Sequence, residues 1–237
     1  MTLIIGIKLP KGILLVSDTR EVDEKTDEII SDIKRKITIV TPTVFLAGSG
    51  SESNFYTSKI LRNCLYNTNL RNSTTEIREN ILKIYNQVNQ LHKDNHVLGY
   101  PVGQLLLAEY DKELKEFNLL HQCGSVGFTE FNVLKKIKDV EVIGSNREVR
   151  NIVKQKVNNI LASLTESELN HVALYEFIAK ECHEIIGNLE IKSIGDNVYC
   201  TFLTEVNDMP ASAVFFIDAR KKLRIINAKD DGGEIQF

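Results

Sequence analysis

Cysteine is scarce in this sequence, and what there is lies scattered. Cys64, Cys123, Cys182 and Cys200 stand far apart among 237 residues, with no Cys-x-x-Cys pair and no Cys/His cluster. That excludes the spacing of a zinc site or of a disulfide framework and fits a reducing compartment. Long apolar runs are missing too: none reaches the roughly 18 residues that a membrane-spanning helix needs. The first apolar stretch is broken by Lys8, Pro10 and Lys11 and does not read as a signal peptide, so a cytoplasmic protein without a membrane partner is expected. No excess of one charge is present either. Lys and Arg total 29 against 32 Asp and Glu, a net charge of -3, and the basic residues are dispersed, which disfavours a nucleic-acid partner. Internal repeats, low-complexity blocks and linkers are absent.

What is present is an ordinary globular balance, 43% hydrophobic and 26% charged, enough to bury a substantial core. One domain over residues 1–237 is expected, with a polar tail, about residues 229–237, left loose. The five histidines do not build a metal site. His92 and His96 are spaced i, i+4 at a helix end but lack a carboxylate or cysteine in a known ligand pattern, and His121, His171 and His183 are isolated. No metal and no cofactor is expected.

The chain opens MTLIIGIKLPKGILLVSDTR, in which two β-branched-rich runs flank a Pro10–Gly12 turn and so predict a hairpin. KITIV and TVFLAG, either side of Thr41-Pro42, predict a second. A helix follows over about residues 51–71, with Phe55, Ile60, Leu61, Cys64 and Leu65 on one face. Ser73 and Glu76 form a capping box for a second helix carrying Ile77, Ile81, Ile84, Tyr85, Val88 and Leu91. Strands return as VGQLLLAEY, EFNLLHQ and VEVIG. Ser145 with Glu148 reads as a second box opening a third helix to about Ser163, and Thr165 with Glu168 as a third box opening a fourth helix that ends near Gly187. NVYCTFLT, ASAVFFID and KLRII close the chain as strands. The order is strands, two helices, strands, two helices, strands. Two stacked antiparallel sheets between two helical layers, a four-layer αββα sandwich of the α+β class, would bury each helix pair on one sheet face. A two-layer α+β arrangement is the alternative.

An amino-terminal threonine can act as a nucleophile because its own α-amine, with an ordinary pKa of about 7.7–8.0, can take the hydroxyl proton. For Thr2 this requires loss of Met1, and Thr is a small second residue of the kind that permits such trimming. The first hairpin returns Asp18 and Arg20 to the level of Thr2. A carboxylate at that depth needs a cation, and Lys36, at the head of the KITIV run, is the candidate. Held by Asp18, its ammonium would keep the nearby amine neutral by like-charge repulsion and stabilise the developing alkoxide. Taken singly, each residue also has an ordinary reading: turn charges for Asp18 and Arg20, a solvated strand edge for Lys36.

Together, TLIIGIK, GILLVSDTR, RKITIV and TVFLAGSG resemble the β-type subunits of the proteasome and related bacterial peptidase rings, members of the N-terminal-nucleophile hydrolases. The resemblance spans most of the chain in element order and is strongest in the first 50 residues. It implies Thr2 as nucleophile, Asp18, Arg20 and Lys36 as its charged partners, and the amide of Gly48 in Ala47-Gly48 as oxyanion donor. It further implies that Ser145 in Gly144-Ser145 bonds near the nucleophile's amine, although Ser145 is also a good N-cap. Glu190, Ser193 and Gly195 match the family's last polar motif, with Glu in place of Asp. Glu21, Leu46 and Gly50 would line the substrate pocket. Only Met1 precedes Thr2, where family members usually carry a propeptide, and residues 125–138 form a longer segment than the family's. The implied activity is threonine-type hydrolysis of a peptide or protein substrate in a ring-forming homo-oligomer, with or without an ATPase partner. The alternatives are an amidase, a ligase or transpeptidase using the same threonine chemistry, and a non-catalytic ring subunit.

Overall fold

The computed structural model describes residues 2–23, 26–66, 72–171 and 173–226; the tail expected over residues 229–237 lies outside them. The first hairpin is β1 (Leu3–Leu9) with β2 (Gly12–Asp18). A small ribbon follows, β3 (Glu21–Val22) with β4 (Ile29–Ser31), too short for its apolar pattern to announce it. Then come β5 (Ile37–Thr41) and β6 (Val44–Gly50), the second expected hairpin. Helices α1 (Glu52–Leu65) and α2 (Thr74–Asn95) precede β7 (Gly103–Asp111), β8 (Glu116–Cys123), the unforeseen β9 (Asn132–Leu134) and β10 (Val140–Gly144). Helices α3 (Arg147–Ser163), α4 (Glu166–Leu169) and α5 (Leu174–Gly187) lead into β11 (Val198–Val206), β12 (Met209–Ile217) and β13 (Leu223–Ile225).

The protein is of the α+β class, with antiparallel sheets and five α-helices among the described residues. A six-stranded sheet runs β10-β1-β2-β11-β12-β13, and a five-stranded one runs β5-β6-β7-β8-β9. Three apolar clusters follow from strand alternation. On β1, Leu3, Ile5 and Ile7 pack with Val153, Val157 and Leu161 of α3 and with Ile178, Cys182 and Ile186 of α5. Ile4, from the other face, joins Leu15, Phe45, Leu106 and Leu119, a cluster that draws on both sheets. Leu46, Leu105 and Leu107 meet Leu61 of α1 and Ile77, Ile81 and Tyr85 of α2. The strands of the six-stranded sheet are therefore apolar on both faces around the first hairpin, which is why LIIGI and ILLV read as continuous runs. No helix among the described residues is long and apolar enough to cross a membrane.

Four local expectations are corrected. The first helix ends at Leu65 rather than reaching residue 71, and residues 67–71 lie outside the described chain. Its buried face is Asn54, Thr57, Ser58, Leu61, Arg62 and Leu65, whereas Ile60 and Cys64 are exposed. The reason is hydrogen bonding to the five-stranded sheet: Asn54 donates to Ser49 and Gln104 carbonyls, Ser58 meets Thr38, and Arg62 donates to the Ile39 carbonyl. The third helix is capped by Asn146, whose side chain accepts from Val149 N–H, and not by Ser145. The Thr165–Glu168 box is formed, but it caps only the one-turn α4. There the Asn170 side chain turns back to the Glu166 carbonyl and His171 Nδ1 accepts from Ala173 N–H, local bonds that compete with the helical ladder before α5 begins.

Leu15 is fully buried between the sheets, whereas Ile152 on α3 is 40% exposed. Leu15→Ala should lower the unfolding free energy by about 2–5 kcal/mol and Ile152→Ala by about 0.5 kcal/mol or less, measured by urea denaturation. Equal losses would contradict the assignment of the inter-sheet core.

Candidate active site

The register of the first hairpin builds the site. Ile4 stands opposite Ser17, so Leu3 falls opposite Asp18, and the Leu3 N–H donates to Asp18 Oδ1 at 2.8 Å. On the other side β1 pairs with β10, where Leu3 faces Gly144. Thr2 thus sits at the head of a central strand, between the ends of β2 and β10, and is 9% exposed.

Lys36 reaches this point from the other sheet. It immediately precedes β5, and its Nζ donates to Asp18 Oδ1 at 2.9 Å, to Oδ2 at 2.8 Å and to the Arg20 carbonyl at 2.7 Å. All three ammonium protons are used. The two side chains are 3% and 0% exposed. Asp18 is satisfied from the protein as well, by the N–H groups of Leu3, Arg20 at 3.1 Å and Gly195 at 3.4 Å. Burial pushes the Lys36 pKa below the ordinary lysine value, against the upward pull of Asp18.

Arg20 makes a two-point contact with Asp32, Nε to Oδ1 at 2.6 Å and Nη2 to Oδ2 at 3.3 Å, which raises its pKa. Its Nη1 donates to the Lys192 carbonyl at 3.0 Å, tying that loop to the end of β2. Glu21 pairs with Lys34 at 2.7 Å.

A cavity of about 1010 Å³ opens over these groups, lined among others by Thr2, Lys36, Ser49, Gly50, Gln104 and Ser145. Arg20 and Glu21 line it too, and His92, His96 and Tyr100 stand on its wall as a ladder with ring centroids 5.3 Å apart. Among the described residues no three His, Cys, Asp or Glu side chains converge as metal ligands.

Ser145 has a left-handed φ of 39°, and its N–H donates to the Thr2 carbonyl at 2.8 Å. Gly144 before it has φ +84°, and a Cβ there would lie 1.9 Å from the Thr2 carbonyl oxygen. Only glycine lets the chain pass so close.

Several expected site residues lie elsewhere. The Gly48 N–H is spent on the Lys36 carbonyl at 3.2 Å, the rung that ends the β5–β6 ladder, and Gly48 does not line the cavity. Gly50 lines it instead. The Ser49 carbonyl points at Asn54 Nδ2, 2.9 Å away, and since the peptide is trans the Gly50 N–H points the opposite way, beyond the start of β5. Leu46 is corrected as well: it alternates onto the helix side and packs with α1 and α2. Glu190 is exposed, with φ 52°, and makes no hydrogen bond to Ser193; neither residue lines the cavity. Only Gly195 of that motif reaches the site, through Asp18. Sequence reasoning missed Asp32, Asn54 and Gln104. The only signal was for Asn54, a polar residue at a position of α1 where the helical period calls for burial.

Asp18→Ala would leave the Lys36 ammonium buried without its partner, and the unfolding free energy should fall by about 3–5 kcal/mol in urea melts. A fall under about 1 kcal/mol would show that the pair does not anchor the site. Lys36 also gives a pH dependence. With its pKa lowered, the folded chain binds fewer protons than the unfolded one between that depressed value and the ordinary 10.5, so the stability it contributes rises with pH across that window and is lost as pH falls through it. Lys36→Met should flatten that rise; an unchanged slope would place the titration elsewhere.

Set against protein-family models and against curated proteins, the chain matches none.

Proposed function

We propose that this chain is an N-terminal-nucleophile hydrolase that cleaves peptide bonds with Thr2, in a proteasome-like four-layer αββα architecture. The observation that carries the reading is the buried Asp18–Lys36 pair, fixed across two sheets and opening onto the same cavity as Thr2. A structural ion pair needs no cavity, and a solvated lysine would not be desolvated by its surroundings. The three apolar clusters, each shared by two neighbouring layers, support the architecture.

Removal of Met1 frees the Thr2 α-amine. That amine takes the proton from Thr2 Oγ, and Oγ attacks the substrate carbonyl. The negative charge gathering on the carbonyl oxygen is met by the Gly50 N–H, which is aimed before substrate arrives and so needs no reorganisation. The protonated amine then gives its proton to the leaving amine as the C–N bond breaks, leaving an ester on Thr2. Water, giving a proton to the same amine, adds to the ester carbonyl; the acyl C–Oγ bond breaks, the amine returns the proton to Thr2 Oγ, and the carboxylic acid product leaves. Lys36 stays positively charged throughout; its charge disfavours a second ammonium beside it and so keeps the amine available as a base. Asp18 holds Lys36 in place. No cofactor enters these steps. The ring-forming homo-oligomer, the cytoplasmic setting and the protein or peptide substrate belong to the same proposal.

Thr2→Ala should reduce turnover of peptides bearing a C-terminal reporter by about a thousandfold or more, while Thr2→Ser keeps measurable activity. Mass spectrometry during turnover should find the acyl group on a chain that has lost Met1. Undiminished turnover by Thr2→Ala, or activity from chains that retain Met1, would refute the assignment.

A further inference from the structure

Gln104 takes no part in the steps above, yet its side chain is a second polar link between the two sheets near Thr2, beside the Asp18–Lys36 pair. It stands second in β7, in the five-stranded sheet, and lines the cavity. Its Oε1 accepts two hydrogen bonds, both from the far side: the Gly144 N–H at 3.0 Å and Arg150 Nη1 at 3.0 Å. Both lone pairs of that oxygen are therefore occupied.

The donor Gly144 belongs to the turn that presses on residue 2. Its neighbour Ser145 donates to the Thr2 carbonyl at 2.8 Å in a left-handed conformation that a serine does not adopt without support. Gln104 is itself held. Its backbone carbonyl accepts from Asn54 Nδ2 at 3.2 Å, and the same amide group holds the Ser49 carbonyl at 2.9 Å. Asn54 is held in turn by the hydroxyl of the buried Tyr85, which lies 3.1 Å from its Oδ1. One chain of hydrogen bonds thus connects the peptide that aims the Gly50 N–H with the turn that fixes residue 2.

We propose that Gln104 is a positioning residue for the Thr2 reaction. Its side-chain carbonyl, steadied by Arg150, sets the Gly144–Ser145 turn against residue 2 and so fixes the position of Thr2 relative to the Gly50 amide. The inference rests on the hydrolase reading. A positioning role differs from a purely structural one in what it changes. Displacement of the nucleophile by about 1 Å costs on the order of a hundredfold in rate, while the cavity walls that bind substrate are left as they were.

The test compares Gln104→Met, which keeps the length and removes the acceptor, with Gln104→Glu, which restores an acceptor for both donors, in the chain processed at Met1. For Gln104→Met, kcat should fall about tenfold or more with KM within about twofold. Gln104→Glu should stay within about threefold of the parent kcat. Exchange of the Gly144 amide hydrogen should accelerate about tenfold or more in Gln104→Met and not in Gln104→Glu. The proposal is overturned if kcat of Gln104→Met falls less than tenfold, if the loss lies in KM, or if Gln104→Glu is as impaired as Gln104→Met. Should Gln104→Met fail to fold, Arg150→Met removes one donor and leaves the side chain less fixed; kcat should then fall about threefold or more with KM held, and an unchanged kcat overturns the proposal. The amide exchange separates the two readings: if Thr2→Ala keeps full turnover the hydrolase reading fails, while Gly144 exchange still reports whether Gln104 holds the turn.

Discussion

The ion pair between Asp18 and Lys36 is the constraint on which the site depends. Removing two charges from water costs several kcal/mol per ion, and only close geometry with every remaining lone pair and proton satisfied makes up for it. Here the partners are in place: three backbone N–H groups on the carboxylate, and two carboxylate oxygens and a carbonyl on the ammonium. Those partners come from β1, the end of β2, the loop before β11 and the residue before β5. The pair therefore needs both sheets in place, since its partners come from each.

Placing two charges there, instead of two apolar side chains, gives up the stability that a packed alternative of similar volume would supply. The rest of the site has the same character. The first helix turns a polar face to the five-stranded sheet, and Asn54, Ser58 and Arg62 bond to its carbonyls and hydroxyls where apolar packing would suffice for stability. Between these polar residues Leu61 of α1, with Ile77 and Ile81 of α2, keeps an apolar interface with the sheet. The polar face runs the length of α1, and at its first turn Asn54 fixes the directions of the Ser49 and Gln104 carbonyls beside the cavity.

Much of this was legible in the sequence because it depends on local periodicity. Continuous apolar runs marked β1 and β2, the Pro10–Gly12 turn set their register, and that register alone placed Asp18 beside the head of β1. What failed were inferences that need to know where a strand stops or which way a residue faces. Gly48 and Gly50 differ by one full strand repeat, so both N–H groups point to the same side, and the one that is left for the cavity depends on where β5 begins. Leu46 lies one helix-facing position earlier, turned away from the cavity. Glu190 matched a spacing, but its loop carries it to the surface. Gln104 was invisible because its partners, Gly144 and Arg150, lie some forty residues away on elements that meet it only in the folded protein.

The backbone at residues 2 and 3 is held from both flanks. Asp18 accepts from the Leu3 N–H on one side, and the Ser145 N–H donates to the Thr2 carbonyl on the other. These two bonds fix the peptide plane between Thr2 and Leu3, and the planar trans geometry fixes the Thr2 Cα with it. What remains free on residue 2 is rotation about its own φ and ψ toward the cavity and the χ1 of its side chain, which for a β-branched residue has few wells. The strained φ of Ser145 fits this arrangement: a sparsely populated conformation persists where its surroundings over-determine it, and here what they over-determine is the place of one carbonyl. Stability alone does not call for residue 2 to be held so closely, whereas the proposed attack of Thr2 on a carbonyl at a preset N–H would need it.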